Sequence, residues 1–273
     1  MNPEELKICG LAAVRARYER DPASIVRLYF DLPTSRKIAA MLKALAVLRK
    51  IYRCVEPAEL EKVAGSLHHG GIVAVVTGPV SQPVKRADLS QWAQAGEPLL
   101  ILDRIGNSHN LGALVRTAAF FGIPRVILTD EAGAARPNEA AYRVAEGGFE
   151  WLTVHRVRAL APFLRDLAAA GYEVIGAATR STGTAKRRSG GLPVAERGSV
   201  SRPDRGQAAK PFAVPPQSNR PAVRALVLGN EEHGLSPDVT AACTRLETIP
   251  GTGKVESLNV SVAGAVLMWE HLR

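Results

Sequence analysis

The chain is short of cysteine, of aromatic side chains and of long apolar runs. Its three cysteines, Cys9, Cys54 and Cys243, stand far apart, form no C-x-x-C pair and make no even-numbered set. A disulfide framework and a cysteine-rich zinc site are thereby set aside, and a reducing, cytoplasmic compartment is the simplest reading. No apolar run approaches the roughly 20 residues that a membrane span needs. The N-terminus, MNPEELKICG, opens on acids with no basic flank before an apolar stretch, so it does not read as a signal peptide. Several enzyme signatures are missing as well. There is no P-loop, no G-x-S-x-G elbow and no H-E-x-x-H, and His68-His69 lacks the spacing of a helical metal pair. No G-x-G-x-x-G follows the first strand of the C-terminal part, and Gly251-Thr252-Gly253 after a late strand is a weak substitute. Metal-dependent, hydrolytic and dinucleotide-binding oxidoreductase readings fall away with these motifs.

What is present begins with length: 273 residues suit two domains, each able to bury a core. The net charge of +9 is unevenly spread, with eight Lys or Arg against two acids in residues 181–222. That segment is rich in Ser, Gly, Pro, Arg and Ala and nearly empty of large apolar residues. It reads as a flexible basic insertion, because it cannot bury enough surface to offset the entropy of ordering. Two meanings of its charge stay open: a solvated stretch, or an electrostatic grip on a polyanion.

Residues 1–78 read as a small α/β unit. A helix is expected over Arg36–Val55, where Ile38, Met41, Leu42, Leu45, Leu48, Ile51 and Tyr52 recur at steps of three and four. Pro57 suits the start of a second helix, and Gly70-Gly71 releases the chain into a buried strand, IVAVV. The stretch from Thr77 to Pro98 carries Gly78-Pro79, Pro83 and Gly96-Glu97-Pro98, and residues 79–97 within it read as a turn-rich linker. From 98 to 273 strands and helices alternate, PLLILD then LGALVRTAAFFG then RVILTD and onwards, which implies a parallel sheet with helices on both faces.

Ligands bind at strand ends in such sheets, and three polar blocks lie there: LDRIGNSHNLGALVRTAAFFGI (102–123), LVLGNEEHGLS (226–236) and IPGTGKVESLNVSVA (249–263). Taken alone, Asn110 reads as a helix cap and Arg116 as a salt-bridging or phosphate-contacting residue. Glu231 sits in an Asn- and Gly-rich turn. Ser257, Asn259 and Ser261 crowd the start of the last helix, where capping explains one polar residue and not three.

Together the three blocks resemble the SpoU (TrmH-type) RNA 2′-O-ribose methyltransferases of the SPOUT superfamily. The resemblance implies an α/β fold, a parallel-sheet SPOUT domain with a C-terminal trefoil knot, preceded by a small α/β substrate-binding domain. It implies S-adenosylmethionine as cofactor, RNA (rRNA or tRNA) as partner, a homodimer, and neither metal nor membrane. Carried over by motif, Asn110, Arg116, Glu231, Ser257 and Asn259 are the catalytic positions. Gly229, Ile249, Leu258 and Thr179 are the cofactor-binding ones. The family assigns the Arg as the activator of the ribose hydroxyl. A guanidinium holds its proton at any ordinary pH, so fixing the target phosphate or stabilising a developing alkoxide suits Arg116 better. Glu231 would orient Arg116 or Asn110, or hold the loop in shape. The chain departs from the family at Ser108, where Pro is commoner, and at Gly251, where Met is. The alternative from another class is a catalytically silent SPOUT-fold protein that binds RNA or serves ribosome assembly.

Overall fold

A computed structural model describes residues 5–78, 82–178 and 223–273. The expected basic insertion and Thr179 lie outside the described residues. The N-terminal part runs β1 (Glu5–Cys9), α1 (Leu11–Arg20), β2 (Ile25–Phe30), α2 (Leu32–Lys37), α3 (Ala39–Val47), β3 (Ile51–Cys54), α4 (Pro57–Ala64) and β4 (Ile72–Thr77). Its four strands lie in the order β1-β4-β2-β3, with β4 antiparallel to both neighbours and β3 parallel to β2. The run IVAVV is apolar throughout because both faces of β4 are covered. Ile72, Ala74 and Val76 join the main core with α1 and α3, while Val73 packs with Leu60 and Ala64 of α4.

The single helix expected over Arg36–Val55 does not form. The chain breaks between Lys37 and Ala39, α3 stops at Val47, and residues 51–54 pair as a strand beside β2. Arg49 adopts a left-handed conformation, φ 53°, that ends the helix. Ile51 and Tyr52 follow, β-branched and aromatic types suited to a strand. Ile38, Met41 and Leu45 are core residues as the spacing implied, but Leu48 and Ile51 are exposed.

The second part comprises β5 (Gln82–Pro83), α5 (Arg86–Ala95), β6 (Leu99–Leu102), α6 (Ser108–Phe120), β7 (Arg125–Thr129), α7 (Glu139–Ala145), β8 (Thr153–Val157), α8 (Leu160–Ala169), β9 (Tyr172–Ala177), β10 (Val223–Leu228), α9 (Pro237–Ala242), β11 (Arg245–Glu247) and α10 (Val260–His271). The seven strands form one sheet in the order β11-β9-β10-β6-β7-β8-β5, and every pairing is parallel. The turn-rich stretch before β6 thus contains a ten-residue helix, α5, which seats Leu89 and Trp92 in the core. Side chains alternate across the sheet. Leu100, Leu102, Val126, Leu226 and Leu228 face the core shared with α6, α7 and α10, whereas Leu99, Ile101, Ile127, Ala225 and Val227 face α5, α8 and α9. At Gly264 of α10 an added Cβ would lie 2.5 Å from Leu114 and 2.8 Å from Leu228, so only hydrogen lets α10 sit this close to α6 and β10.

The main core runs without a break from the N-terminal sheet into the second one. Across that junction Arg17 of α1 pairs with Glu150, in the 3-10 turn Gly148–Glu150, at 2.9 Å, and both side chains are buried. Burial pushes the Glu150 carboxyl above its ordinary range even though the guanidinium opposes the shift. Removing one partner leaves a buried charge without its counter-ion. Glu150→Leu should therefore destabilise the fold by about 3–5 kcal/mol in urea unfolding, and adding Arg17→Met should recover most of the loss. Equal stability of the single variant and the parent would show that the pair is not a tie between the two parts.

Candidate functional site

Strands β6 and β10 run parallel, with Leu102 in register with Leu228, so the loops that follow them leave the same end of the sheet. Two ties join those loops near their roots. Buried Asp103 accepts from the Ser236 backbone N–H at 2.9 Å and pairs with Arg104 at 3.1 Å. Asn230 donates through Nδ2 to the Arg104 carbonyl at 2.9 Å, and its Oδ1 accepts from the N–H groups of Glu232 and His233. Gly229, at the root of the second loop, has no room for a side chain: an added Cβ would meet Gly234 and Leu235 backbone atoms at 2.3 Å.

The first loop turns into α6 at Asn107, whose Oδ1 accepts from the N–H groups of His109 (2.8 Å) and Asn110 (3.4 Å). Asn107 is therefore the cap, the role that position alone suggests for Asn110. The Asn110 side chain is released to other partners. Its Nδ2 donates to Glu231 Oε1 at 2.9 Å, and its Oδ1 accepts from Asn259 Nδ2 at 3.1 Å. Glu231 also accepts from the N–H groups of Gly106 (3.0 Å) and Asn107 (3.2 Å). Asn259 caps α10, its Oδ1 accepting from Ser261 N–H at 2.9 Å and Ser261 Oγ at 2.6 Å.

The direction of this relay follows from its ends. A carboxylate only accepts, so Asn110 turns its amide NH2 to Glu231 and offers its oxygen to Asn259. Asn259 has already committed its oxygen to the helix start, so its NH2 is what remains. Three segments separated by 121 and 149 residues are joined in one sense only. Partial burial opposes ionisation of Glu231. The hydrogen bonds from Asn110 and from the backbone of Gly106, Glu231 and Asn107 outweigh it and hold the carboxyl below its ordinary range.

The relay forms one wall of a cleft of about 610 Å³. Of the positions marked in the sequence, Asn110, Glu231, Ser257, Leu258 and Asn259 line it, together with Gly106, Asn107, Asn230, Glu232 and Val260. Gly229 shapes the loop that carries Glu231, and Ile249 is partly buried against the main core. Arg116 does not line the cleft. It stands six residues beyond Asn110 on α6, about 9 Å along the axis and about a third of a turn around it, and pairs with Glu146 at 3.0 Å. Sequence reasoning missed Gly106 and Asn107. The available signal was an asparagine directly before an apolar-periodic helix.

The lining has two carboxylates, four carboxamides and no lysine or arginine. Such a wall suits a neutral or cationic ligand and is ill suited to a phosphate. No group of three or more His, Cys, Asp or Glu positioned for a metal occurs among the described residues.

Because the folded Glu231 carboxyl titrates low, its bonds to Gly106 and Asn107 should persist above the ordinary carboxylate range. They should be lost as pH falls through the lowered value. Amide exchange of Gly106 and Asn107, corrected for intrinsic rates, reads this. In Glu231→Gln, one oxygen becomes a donor and at least one of the two amides should lose protection at every pH. Unchanged protection in the variant would remove the carboxylate as the lock.

Residues 97–269 match the family described as the SpoU rRNA Methylase family, and residues 7–81 match RNA 2′-O ribose methyltransferase substrate binding. The chain is 32% identical over 274 residues to the "Uncharacterized tRNA/rRNA methyltransferase YfiF" of Escherichia coli O157:H7, covering 99% of this chain and 68% of that protein. It is 30% identical over 269 residues to the 23S rRNA (guanosine-2′-O-)-methyltransferase RlmB of Photorhabdus laumondii, with 97% of each chain covered. Among solved structures it shares its fold with an rRNA methyltransferase from Sinorhizobium meliloti, at a TM-score of 0.68 and 21% identity, covering 98% of this chain and 86% of that one. With the methylase match spanning more than half of its length, and a parallel α/β sheet behind a small α/β unit as the resemblance implied, the chain belongs to the SpoU family of RNA methylases.

Proposed function

We propose that the chain transfers a methyl group from S-adenosylmethionine to a ribose 2′-hydroxyl in structured RNA, rRNA or tRNA. The observation that carries the reading is the one-way relay Asn259 to Asn110 to Glu231, set in a cleft wall without lysine or arginine. When bound, S-adenosylmethionine supplies an electrophilic methyl carbon on a sulfonium. The residues fit such a group, since a wall bearing Glu231 and Glu232 favours a cation over a phosphate, and the cleft volume lies in the range of small-molecule sites. Backbone groups near Gly229, Ile249 and Leu258 would hold it, with Thr179, outside the described residues, as a further candidate.

In this reading Asn110 and Asn259 fix the geometry of the reacting oxygen, with the Ser257 hydroxyl in support. Glu231 locks Asn110 and the loop before α6. Positioning of this kind supplies several kcal/mol of a barrier for an in-line displacement. Arg116 acts at the target nucleotide, fixing its phosphate or stabilising the developing alkoxide. Because Arg116 lies off the cleft wall, the reading includes a homodimer with the site near the subunit contact. Val262, Val266 and Trp269 give α10 an exposed apolar stripe, and Phe120 is exposed as well. The N-terminal part takes the RNA, the compartment is a reducing cytoplasm, and the C-terminal helix completes a trefoil knot.

Deleting the gene should remove ribose methylation at one or a few sites when total rRNA and tRNA are mapped by mass spectrometry. In vitro, Arg116→Ala should lower methyl transfer by at least about 100-fold, the scale of losing one transition-state contact, while calorimetric binding of S-adenosylhomocysteine stays within about twofold of the parent. A complete methylation map together with no S-adenosylhomocysteine binding would replace this reading by the silent RNA-binding one.

A further inference from the structure

Arg116 is met by a carboxylate whose placement is costly. Glu146 follows the last residue of α7 and holds φ 45° and ψ 42°, the left-handed conformation that a helix end normally gives to glycine or asparagine. Gly147 comes next and is itself left-handed, at φ 92°. The chain therefore spends a glutamate where a second glycine would be easier. The pair that Glu146 makes with Arg116 does not offset this through stability, because both side chains are 55% exposed and exposed pairs contribute little. Some other demand keeps a carboxylate there.

The backbone around Glu146 is pinned on two sides. A Cβ on Gly148 would lie 3.1 Å from the Arg116 Cα and 3.2 Å from the Val115 carbonyl oxygen, so the turn rests directly on α6 at the arginine itself. A Cβ on Gly147 would lie 3.0 Å from Ala16 and 3.3 Å from Ala13 of α1. Two residues beyond Gly148, Glu150 is clamped to Arg17 of α1. The Glu146 carboxylate thus has a fixed origin relative to the Arg116 backbone, and the N-terminal part of the molecule helps to fix it. An arginine carries several freely rotating bonds, and a single fixed acceptor removes much of that freedom.

We propose that Glu146 is a positioning residue for methyl transfer: from a turn wedged between α1 and α6, it holds the Arg116 guanidinium ready for the target nucleotide. The inference rests on the reading of Arg116 as the residue that acts at the target. It separates placement of the cation, set by Glu146, from the cation's own contact with RNA.

The test is single-turnover transfer from radiolabelled S-adenosylmethionine to total RNA extracted from the gene-deletion strain. The rate at saturating RNA and the RNA concentration at half-saturation are recorded, with Tm measured in parallel. Glu146→Gln should slow the saturated rate about tenfold, since small misplacements near a reacting group cost up to about a hundredfold, and leave half-saturation within about twofold. Glu146→Asp keeps a carboxylate on a residue that tolerates the left-handed region better and should recover at least about half of the rate. Glu146→Gly relieves the backbone, so its Tm should be unchanged or raised while its rate falls as in the glutamine variant. That split is opposite to what a structural role gives, in which rate and Tm fall together. A wild-type rate in Glu146→Gln, or a loss that tracks Tm across the three variants, overturns the proposal. Arg116→Ala separates the two levels: if it is inactive while Glu146→Gln is normal, only the positioning role fails, and if it is itself fully active, the reading of Arg116 fails and the proposal with it.

Discussion

The site depends on a single acceptor group. Glu231 gathers the N–H groups of Gly106 and Asn107 and the amide of Asn110, and through Asn110 it reaches Asn259. Two of those donors are main-chain groups, so the carboxylate orders backbone as well as side chains. It can do so because β6 and β10 are parallel neighbours in register, which sends both following loops to the same edge of the sheet. Gly229 then lets the second loop fold back closely enough to aim Glu231 at the first. The parallel pairing supplies the neighbourhood, and the acid supplies the lock.

Much of the fold could be read from apolar patterning. Strands β6, β7 and β10 are covered on both faces and appear as unbroken runs, LLIL, VIL and ALVL, while α6 and α10 follow as longer apolar stretches. Patterning failed where local backbone choices overrode it. Arg49, in the left-handed region, divides what looks like one amphipathic helix, and the apolar residues beyond it belong to a strand with an exposed face. Helix α5 anchors itself through only two buried side chains, Leu89 and Trp92, too few to stand out among the glycines and prolines around it.

The site was legible in a different way. Nothing in spacing links Asn110 to Glu231 or Asn259; the resemblance to a family brought them together, and a carboxylate's inability to donate then fixes their orientation. The polar cluster at the start of α10 is also simpler than it looks, because one cap at Asn259 accounts for both itself and Ser261. Ser257 is left on the cleft wall. Glu146 could not have been found by pattern, since its meaning lies in a backbone angle and in a partner thirty residues earlier.

The order of strands in the larger sheet has a bearing on how the molecule is made. β10 lies between β6 and β9, yet its residues, 223–228, come long after both in the chain. During synthesis β6 presents one unpaired apolar edge, and β9, whose partners among the described strands are β10 and β11, has no strand to pair with until the missing ribbon is delivered. Open edges of this kind invite pairing with other nascent chains. Late insertion of a central strand also raises the sequence distance over which native contacts must close, which slows folding.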